Sequence, residues 1–344
     1  MKIAVVGATG LVGREMLTVL AERGFGHEEV IAAASERSVG KQIGFAGRQL
    51  TVVSVDEAIA MRPQYAIFSA GAAASRQYAP RFVEAGATVI DNSSAWRKDP
   101  QVPLVVPEVN MDAAYQAIGQ SGNRAIIIAN PNCSTIQMVL ALSPLEREYG
   151  LRRLVIATYQ SVTGTGIKAV RQLEAEEGLS LTPEHRQQAS VQMAYPYPIH
   201  RNLFPHGGDF QPDGYTTEEQ KLIDETHKIY SDPAIAITAT VVRVPVVGGH
   251  SEAVNVELRR DYDLDDVRRL IAATPGVILY DDPSANQYPM PILSHHRDEV
   301  WVGRLRRDPS QPNSLNLWVV ADNIRKGAAT NAIQIMQALI KRKP

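Results

Sequence analysis

Apolar and polar positions follow two rhythms along the chain, and the change between them is the first structural fact the sequence offers. Lys2 to Val6 is a short β-branched run that predicts a strand, and GATGLVG (Gly7 to Gly13) follows at once. Leu11, Val12, Met16, Leu17, Val19 and Leu20 are then spaced as one face of a helix ending near Gly24 and Gly26. A second strand is predicted over Val30 to Ala34, stopping at SERS, then a shorter one around Leu50 to Val55 and a helix near Asp56 to Met61. YAIFSA (Tyr65 to Ala70), ATVIDNSS (Ala87 to Ser94) and Ala125 to Ala129 repeat the pattern, the last running into NPNCST and a helix over Ile136 to Tyr149. Strands alternating with helices at this spacing predict a parallel, doubly wound sheet.

From about Leu151 the period shortens to two. LVIATYQSV, IAITATVVRVPV, EAVNVEL and LNLWVV predict longer strands of a sheet with one covered face. Between them, Ser180 to Tyr215 is irregular and rich in Pro, Gly, Tyr and His, the mark of a functional or subunit-contact loop rather than a linker. Gly327 to Lys343 returns to helical spacing, with Ala332, Ile333, Ile335, Met336, Leu339 and Ile340 apolar, and is expected to pack back on the first domain. The predicted fold class is therefore α/β. An N-terminal Rossmann-type parallel sheet, residues 1–130 plus 326–344, is interrupted by an inserted α+β domain, residues 131–325.

Composition narrows the function. The 344 residues suit two domains at roughly 150 residues each. With 44% hydrophobic and 21% charged residues, a disordered or fibrous chain is excluded. Lys plus Arg (35) nearly balances Asp plus Glu (37), so the footprint of a nucleic-acid or membrane-surface binder is missing. No apolar stretch approaches the ~20 residues of a membrane span. The opening MKIAVVGATG reads as strand and turn, not as a signal peptide, and a cytoplasmic protein is expected. One cysteine forms neither an internal disulfide nor a multi-cysteine zinc site.

Gly7, Gly10 and Gly13 space a G-x-x-G-x-x-G turn between the first strand and first helix, where backbone amides can approach a pyrophosphate. The tip of the second strand reads Ser35, Glu36, Arg37, Ser38. Glu36 suits the ribose hydroxyls of NAD, whereas Arg37 flanked by hydroxyls suits the 2′-phosphate of NADP. NADP is the expected cofactor; a merely solvated Arg37 is the alternative.

Cys133 lies in Asn130-Pro131-Asn132-Cys133-Ser134-Thr135, at a strand's carboxyl end and a helix N-terminus, where a thiol pKa is depressed. A small buried hydrophobe is the competing reading. The best candidate for a partner base is His250 in RVPVVGGHSEA, which the Gly248-Gly249 turn is expected to present at a loop tip. His295-His296 and the His200/His206 pair lie in polar loops without a recognisable ligand set, and no metal site is expected.

At these residues the sequence resembles the aspartate-semialdehyde dehydrogenases. The likeness runs from GATGLVG to DNIRKGAATNA, is most specific at NPNCSTIQ and RVPVVGGHSEA, and includes VVPEVN, DNSSAWR and the EEQK segment. The resemblance implies reduction of β-aspartyl phosphate to aspartate β-semialdehyde, with release of phosphate, in amino-acid biosynthesis. It makes Cys133 the acyl-thioester nucleophile, His250 the general acid/base and Gln160 the residue orienting the acyl group. Arg243 would clamp the substrate carboxylate and Glu218, or its neighbour Glu219, the ammonium group. Arg97 and Lys221 would bind phosphate, and Asn132 would touch substrate. Thr9, Gly10, Leu11, Val12, Arg37, Ser38, Thr163, Gly164 and Asn323 would contact the cofactor, together with Gly7 and Gly13. The inserted domain would carry catalysis and the contact of a homodimer. Two rivals remain on sequence grounds: an N-acetyl-γ-glutamyl-phosphate reductase, and a catalytically silent dinucleotide-binding redox sensor.

Overall fold

The computed structural model describes residues 1–122, 124–177 and 193–342. They form two compact units, residues 1–136 with 228–231 and 325–344, and residues 137–227 with 232–324.

The first unit opens with β1 (Lys2–Val6), α1 (Leu11–Leu20) and β2 (Glu29–Ala33). A hairpin, β3 (Gln42–Phe45) and β4 (Arg48–Thr51), precedes α2 (Val55–Ala60), β5 (Tyr65–Phe68), α3 (Ala72–Glu84) and β6 (Thr88–Asp91). Then come α4 (Pro107–Gln120), β7 (Ile127–Ala129) and α5 (Cys133–Tyr149), whose first turn lies in this unit. The main sheet is parallel, in the order β2-β1-β5-β6-β7. Its apolar runs are continuous because both faces are covered. Ile3, Val5, Tyr65 and Ile67 enter one core, while Ala4, Val6, Ala66 and Phe68 enter another.

Two glycines of the first turn are fixed by space. Gly7 has φ +88°, and a Cβ there would lie 2.3 Å from the Ser69 carbonyl oxygen. A Cβ on Gly13 would lie 2.1 Å from the Gly7 carbonyl oxygen, so helix α1 can start this close to β1 only without a side chain.

The strand expected over Leu50 to Val55 is instead Arg48–Thr51, paired in a hairpin outside the main sheet. Ala46 (φ 47°) and Gly47 (φ 78°) both take positive φ, the geometry of a two-residue type I′ turn. Helix α4 carries a non-helical residue, Asn110, whose Oδ1 accepts the Val106 N–H, and that kink masks its periodicity.

The second unit contains β8 (Leu151–Gln160), α6 (Ile167–Glu176), α7 (Thr217–Tyr230) up to His227, β9 (Ala236–Arg243) and β10 (His250–Leu258). These are followed by α8 (Leu264–Ala272), β11 (Val277–Leu279), α9 (Pro291–Ser294), β12 (Val300–Arg307) and β13 (Ser314–Ala321). The six strands form a mixed sheet, β11-β12-β13-β10-β8-β9. Strands β8 and β9 alternate buried and more exposed residues, as a sheet with one covered face should. Strands β11 and β12 were not signalled by the period: one spans three residues, and the other is broken by a bulge between Gly303 and Arg306.

The chain then returns to the first unit as α10 (Thr330–Arg342), shorter than the helix expected from Gly327 because Arg325–Ala329 form a wider π turn. Ala332, Ile333, Ile335, Met336 and Leu339 join the core of Ile3 and Val5. Of the irregular region from Ser180 to Tyr215, residues 180–192 lie outside the described ones.

Candidate active site

In the first unit the candidate residues gather at the carboxyl ends of the parallel strands. Gly10 is the N-cap of α1, and the helix has no acidic residue in its first turn, so the amide groups at its start keep their positive field for an anion. After β2, Glu36, Arg37 and Ser38 form a single 3₁₀ turn in which Glu36 and Arg37 are exposed and Ser38 is buried. Lys41 brings its Nζ within 3.5 Å of the Ser38 hydroxyl, adding a second cation that no motif advertised.

Cys133 is half-buried at the first position of α5. Asn132 Oδ1 accepts the N–H groups of Ser134 (3.0 Å) and Thr135 (3.4 Å), so this side-chain oxygen serves as the helix cap. Asn130 is held by the Asn331 amide at 2.7 Å. The approach of the chain to the thiol is thereby fixed on both sides.

Arg97 donates to the Asn92 carbonyl at 2.7 Å, and Lys228 gathers the carbonyls of Arg97, Asp99 and Val102 at 2.6–2.8 Å, bracing that loop. Asn92 follows β6 at the same rim of the sheet. Both its side-chain polar atoms are buried without a partner among the described residues. Leaving such an amide unsatisfied costs about 1–3 kcal/mol, which a polar ligand group offsets. Its position one residue past a strand's carboxyl end is the signal that could have found it.

VVPEVN and the RKGAATN segment explain each other. Lys326, fully buried, places Nζ 2.8 Å from each Glu108 oxygen, 2.7 Å from Gln334 Oε1 and 3.2 Å from Asn331 Oδ1. These motifs hold the unit together.

In the second unit, strands β9, β8 and β10 lie side by side and align three candidates. Gln160 pairs in register with Arg243, and His250 stands one residue beyond the Ser251–Tyr159 pair, hence beside Gln160. His250 is not at a loop tip. It is the first residue of β10 and fully buried, because its backbone is already paired with Ala321 in the sheet. The turn before it is tied down: Gly248 N–H donates to Ser161 Oγ (3.2 Å) and Gly249 N–H to Asn323 Oδ1 (3.3 Å).

The imidazole's tautomer follows from its partners. The Ser161 N–H donates to His250 Nδ1 at 3.0 Å, so Nδ1 is the acceptor and the ring proton sits on Nε2. Nε2 has no partner among the described residues. Burial, aided by the Arg243 guanidinium and opposed by Glu218, pushes the ring's pKa from the ordinary 6.5 down to about 3. At neutral pH the ring is an uncharged hydrogen-bond donor.

Ser161 is the hub of this cluster. Its carbonyl accepts Arg243 Nη1 at 2.7 Å, its N–H orients His250, and its hydroxyl meets Thr163 Oγ1 at 2.7 Å and the N–H groups of Thr163 and Gly248. Thr163 in turn donates to Asn323 Oδ1 at 2.9 Å. A Cβ on Gly164 would stand 2.9 Å from Arg243 Nη1 and 3.1 Å from His250 Nε2, so this turn lies flat against both.

Glu218 and Glu219 have different tasks. Glu219 accepts the Thr216 N–H at 2.7 Å and the Val241 N–H at 2.9 Å, spending its two oxygens on the start of α7 and on β9. Glu218 pairs with Lys221 Nζ at 2.8 Å and acts electrostatically on His250. The expected residues thus form one set in each unit: the glycine turn, Arg37, Ser38, Arg97, Asn132 and Cys133 in the first, and Gln160, Thr163, Gly164, Glu218, Lys221, Arg243, His250 and Asn323 in the second.

Residues 2–117 match the family described as semialdehyde dehydrogenase, NAD binding domain, and residues 142–326 the family described as semialdehyde dehydrogenase, dimerisation domain. The chain is 47% identical over 341 residues to an aspartate-semialdehyde dehydrogenase of Aquifex aeolicus, covering 99% of this chain and 98% of the other. It is 48% identical over 342 residues to one of Legionella pneumophila, covering 98% and 95%. A solved structure of aspartate semialdehyde dehydrogenase II from Vibrio cholerae, complexed with ASA, superimposes with a TM-score of 0.92 at 42% identity, over 100% of this chain and 99% of that one.

Proposed function

This chain belongs to the aspartate-semialdehyde dehydrogenase family, and from that premise we propose that it reduces β-aspartyl phosphate to aspartate β-semialdehyde with NADPH, through a thioester on Cys133. The Cys133 thiolate attacks the acyl carbon, the carbon–oxygen bond to phosphate breaks, and inorganic phosphate leaves with the bonding pair. When bound at the glycine turn of the first unit, a nicotinamide cofactor would supply the hydride that reduces this thioester. His250 donates its Nε2 proton as a hydrogen bond to the acyl oxygen as negative charge grows there, and Gln160 orients the same group. Expulsion of the thiolate then frees the aldehyde and restores Cys133.

The observation that carries this reading is the alignment of Arg243, Gln160 and His250 on three neighbouring strand ends. The planar Arg243 suits the α-carboxylate as a bidentate clamp. Glu219 spends its two oxygens on the Thr216 and Val241 N–H groups, whereas Glu218, whose charge acts on His250, suits the α-ammonium group. That demand for an ammonium partner favours the aspartate substrate over an N-acetylated one. Arg97 and Lys221 supply the cations for phosphate.

The cofactor domain is proposed as residues 1–130 with 326–344. A side chain at Gly7 or Gly13 would clash with backbone and force apart the strand–turn–helix that brings amides to a pyrophosphate, and Arg37, Ser38 and Lys41 favour a 2′-phosphate. The catalytic domain, residues 131–325, is proposed to dimerise through the surface that exposes Tyr197, Leu203 and Phe210.

The test is phosphate-dependent formation of NADPH from aspartate β-semialdehyde. Activity is expected with NADP⁺ well above NAD⁺, and Cys133→Ala is expected to abolish turnover while NADP⁺ still binds. Wild-type turnover in that variant removes the thioester.

A further inference from the structure

We propose that His295, His296 and Asp322 form a reversible site for a zinc-class divalent cation (Zn²⁺, Co²⁺ or Ni²⁺), separate from the reaction chemistry. Each residue offers one ligand atom, and the three atoms lie within 4.8 Å of one another. Sequence spacing hides the set, because Asp322 comes from the end of β13, some distance along the chain from the two histidines after α9.

The geometry favours a cation over a simple hydrogen-bonded pair. His295 Nδ1 stands 3.3 Å from Asp322 Oδ2. This is long for an N–H···O bond, whose usual length is about 2.9–3.0 Å. It equals the separation of about 3.3–3.4 Å between two ligands bound tetrahedrally at roughly 2.0–2.1 Å from zinc. The carboxylate is already aimed. Asp322 is buried, its Oδ1 accepts the Ile324 N–H at 2.8 Å, and its Oδ2 accepts the His296 N–H at 2.8 Å while facing His295 Nδ1.

The backbone is shaped to bring the histidines together. His296 takes φ 61°, a left-handed conformation costly for a non-glycine residue, and the Asp322 bond to its N–H holds it there. The two rings consequently lie 3.8 Å apart between centroids. Ring His296 is exposed and free to close the remaining distance to the cation. Two imidazoles and one carboxylate select a borderline cation over Mg²⁺ or Ca²⁺, and three protein ligands leave a solvent position for exchange.

The site has a route to the second unit's cluster. The His295 ring occupies the space beside Gly248, where a Cβ would come within 1.9 Å of Nδ1, and Asn323, next to Asp322, holds the Gly249 N–H. Loading the site therefore braces the turn that leads into His250.

Because Cys133 also offers a zinc ligand, the experiment uses the full-length Cys133→Ser protein and reads binding rather than activity. Calorimetric titration with Zn²⁺ is expected to show one equivalent bound, with a raised melting temperature. Adding His296→Asn, a residue that tolerates φ > 0, should weaken affinity at least about tenfold without changing the zinc-free melt, and His295→Gln should do the same. No uptake by Cys133→Ser, or uptake unchanged by both histidine substitutions, overturns the site.

Discussion

Cys133 and His250 are proposed partners in one reaction, yet their surroundings are opposite. The thiol is half-buried at a helix start, at the positive end of the helix dipole. The imidazole is fully buried at a strand start beside a guanidinium, and its Nδ1 is occupied by the Ser161 N–H. An environment of the first kind stabilises an anion; one of the second kind repels a cation. Uncharged at neutral pH, His250 does not offer the imidazolium of the thiolate–imidazolium couple that some thiol enzymes use. In the proposed reaction His250 enters as a neutral proton donor to the acyl oxygen.

The largest effect that can break this contrast comes from His250→Gln. Removing a preorganised donor to a developing oxyanion should lower kcat by about 10²–10³. The rate of Cys133 alkylation by iodoacetamide in the free enzyme should stay within about twofold, because an uncharged ring provides no ion pair for a thiolate. A drop of about tenfold or more in alkylation rate would restore the ion-pair picture.

The same contrast explains which parts of the molecule are visible in its sequence. The glycine turn could be read directly, because Gly7 and Gly13 obey a local rule: a strand, a tight turn and a helix that starts against the strand. Cys133 was legible for a similar reason, since NPNCST is a strand end followed at once by a cap and a helix. His250 was expected at a loop tip and lies instead in a buried strand start. Two glycines suggest an exposed tip, and only pairing with Ala321 and burial under the Ser161 turn make the residue a core position. Asn92 lies within DNSSAWR and Ser161 within LVIATYQSV, but nothing in those runs marks either residue, because their value lies in partners far along the chain or missing among the described residues. The roles of Glu218 and Glu219 could not be separated by a one-residue difference in position. They separate once α7 is folded and Glu219 is spent on Thr216 and Val241. Strand β4 misled because a hairpin turn through Ala46 is a matter of backbone sign, which an alanine does not advertise.

A second effect sharpens the electrostatic half of the comparison. The folded protein holds His250 neutral down to about pH 3, whereas the unfolded chain protonates it near 6.5. The unfolded state therefore binds more protons throughout that window. The stability this group contributes is complete above about pH 6.5 and falls as pH drops toward 3, by roughly 1.4 kcal/mol per pH unit. Urea midpoints measured at pH 7 and pH 5 should show the wild type losing about 2 kcal/mol more than His250→Gln between them. Parallel losses in the two proteins would mean that the ring is solvated or charged in the native state.

The smallest of these effects belongs to Arg243, which touches both halves of the argument. Its Nη1 is bound to the Ser161 carbonyl, the residue whose N–H orients His250, and its charge helps keep that ring unprotonated. Arg243→Lys keeps the positive charge but loses the planar fork. The ring should therefore stay neutral and kcat should change little, while KM for aspartate β-semialdehyde should rise about tenfold or more as bidentate contact with the carboxylate is lost. Arg243→Gln removes the charge as well, and the His250 titration followed by NMR should then move up from about 3 while remaining below 6.5, since burial is the larger cause. A KM equal to wild type in the lysine variant would separate Arg243 from substrate and leave it only its bond to Ser161. A large loss of kcat there, with KM unchanged, would instead show that the fork is needed to hold the turn over His250.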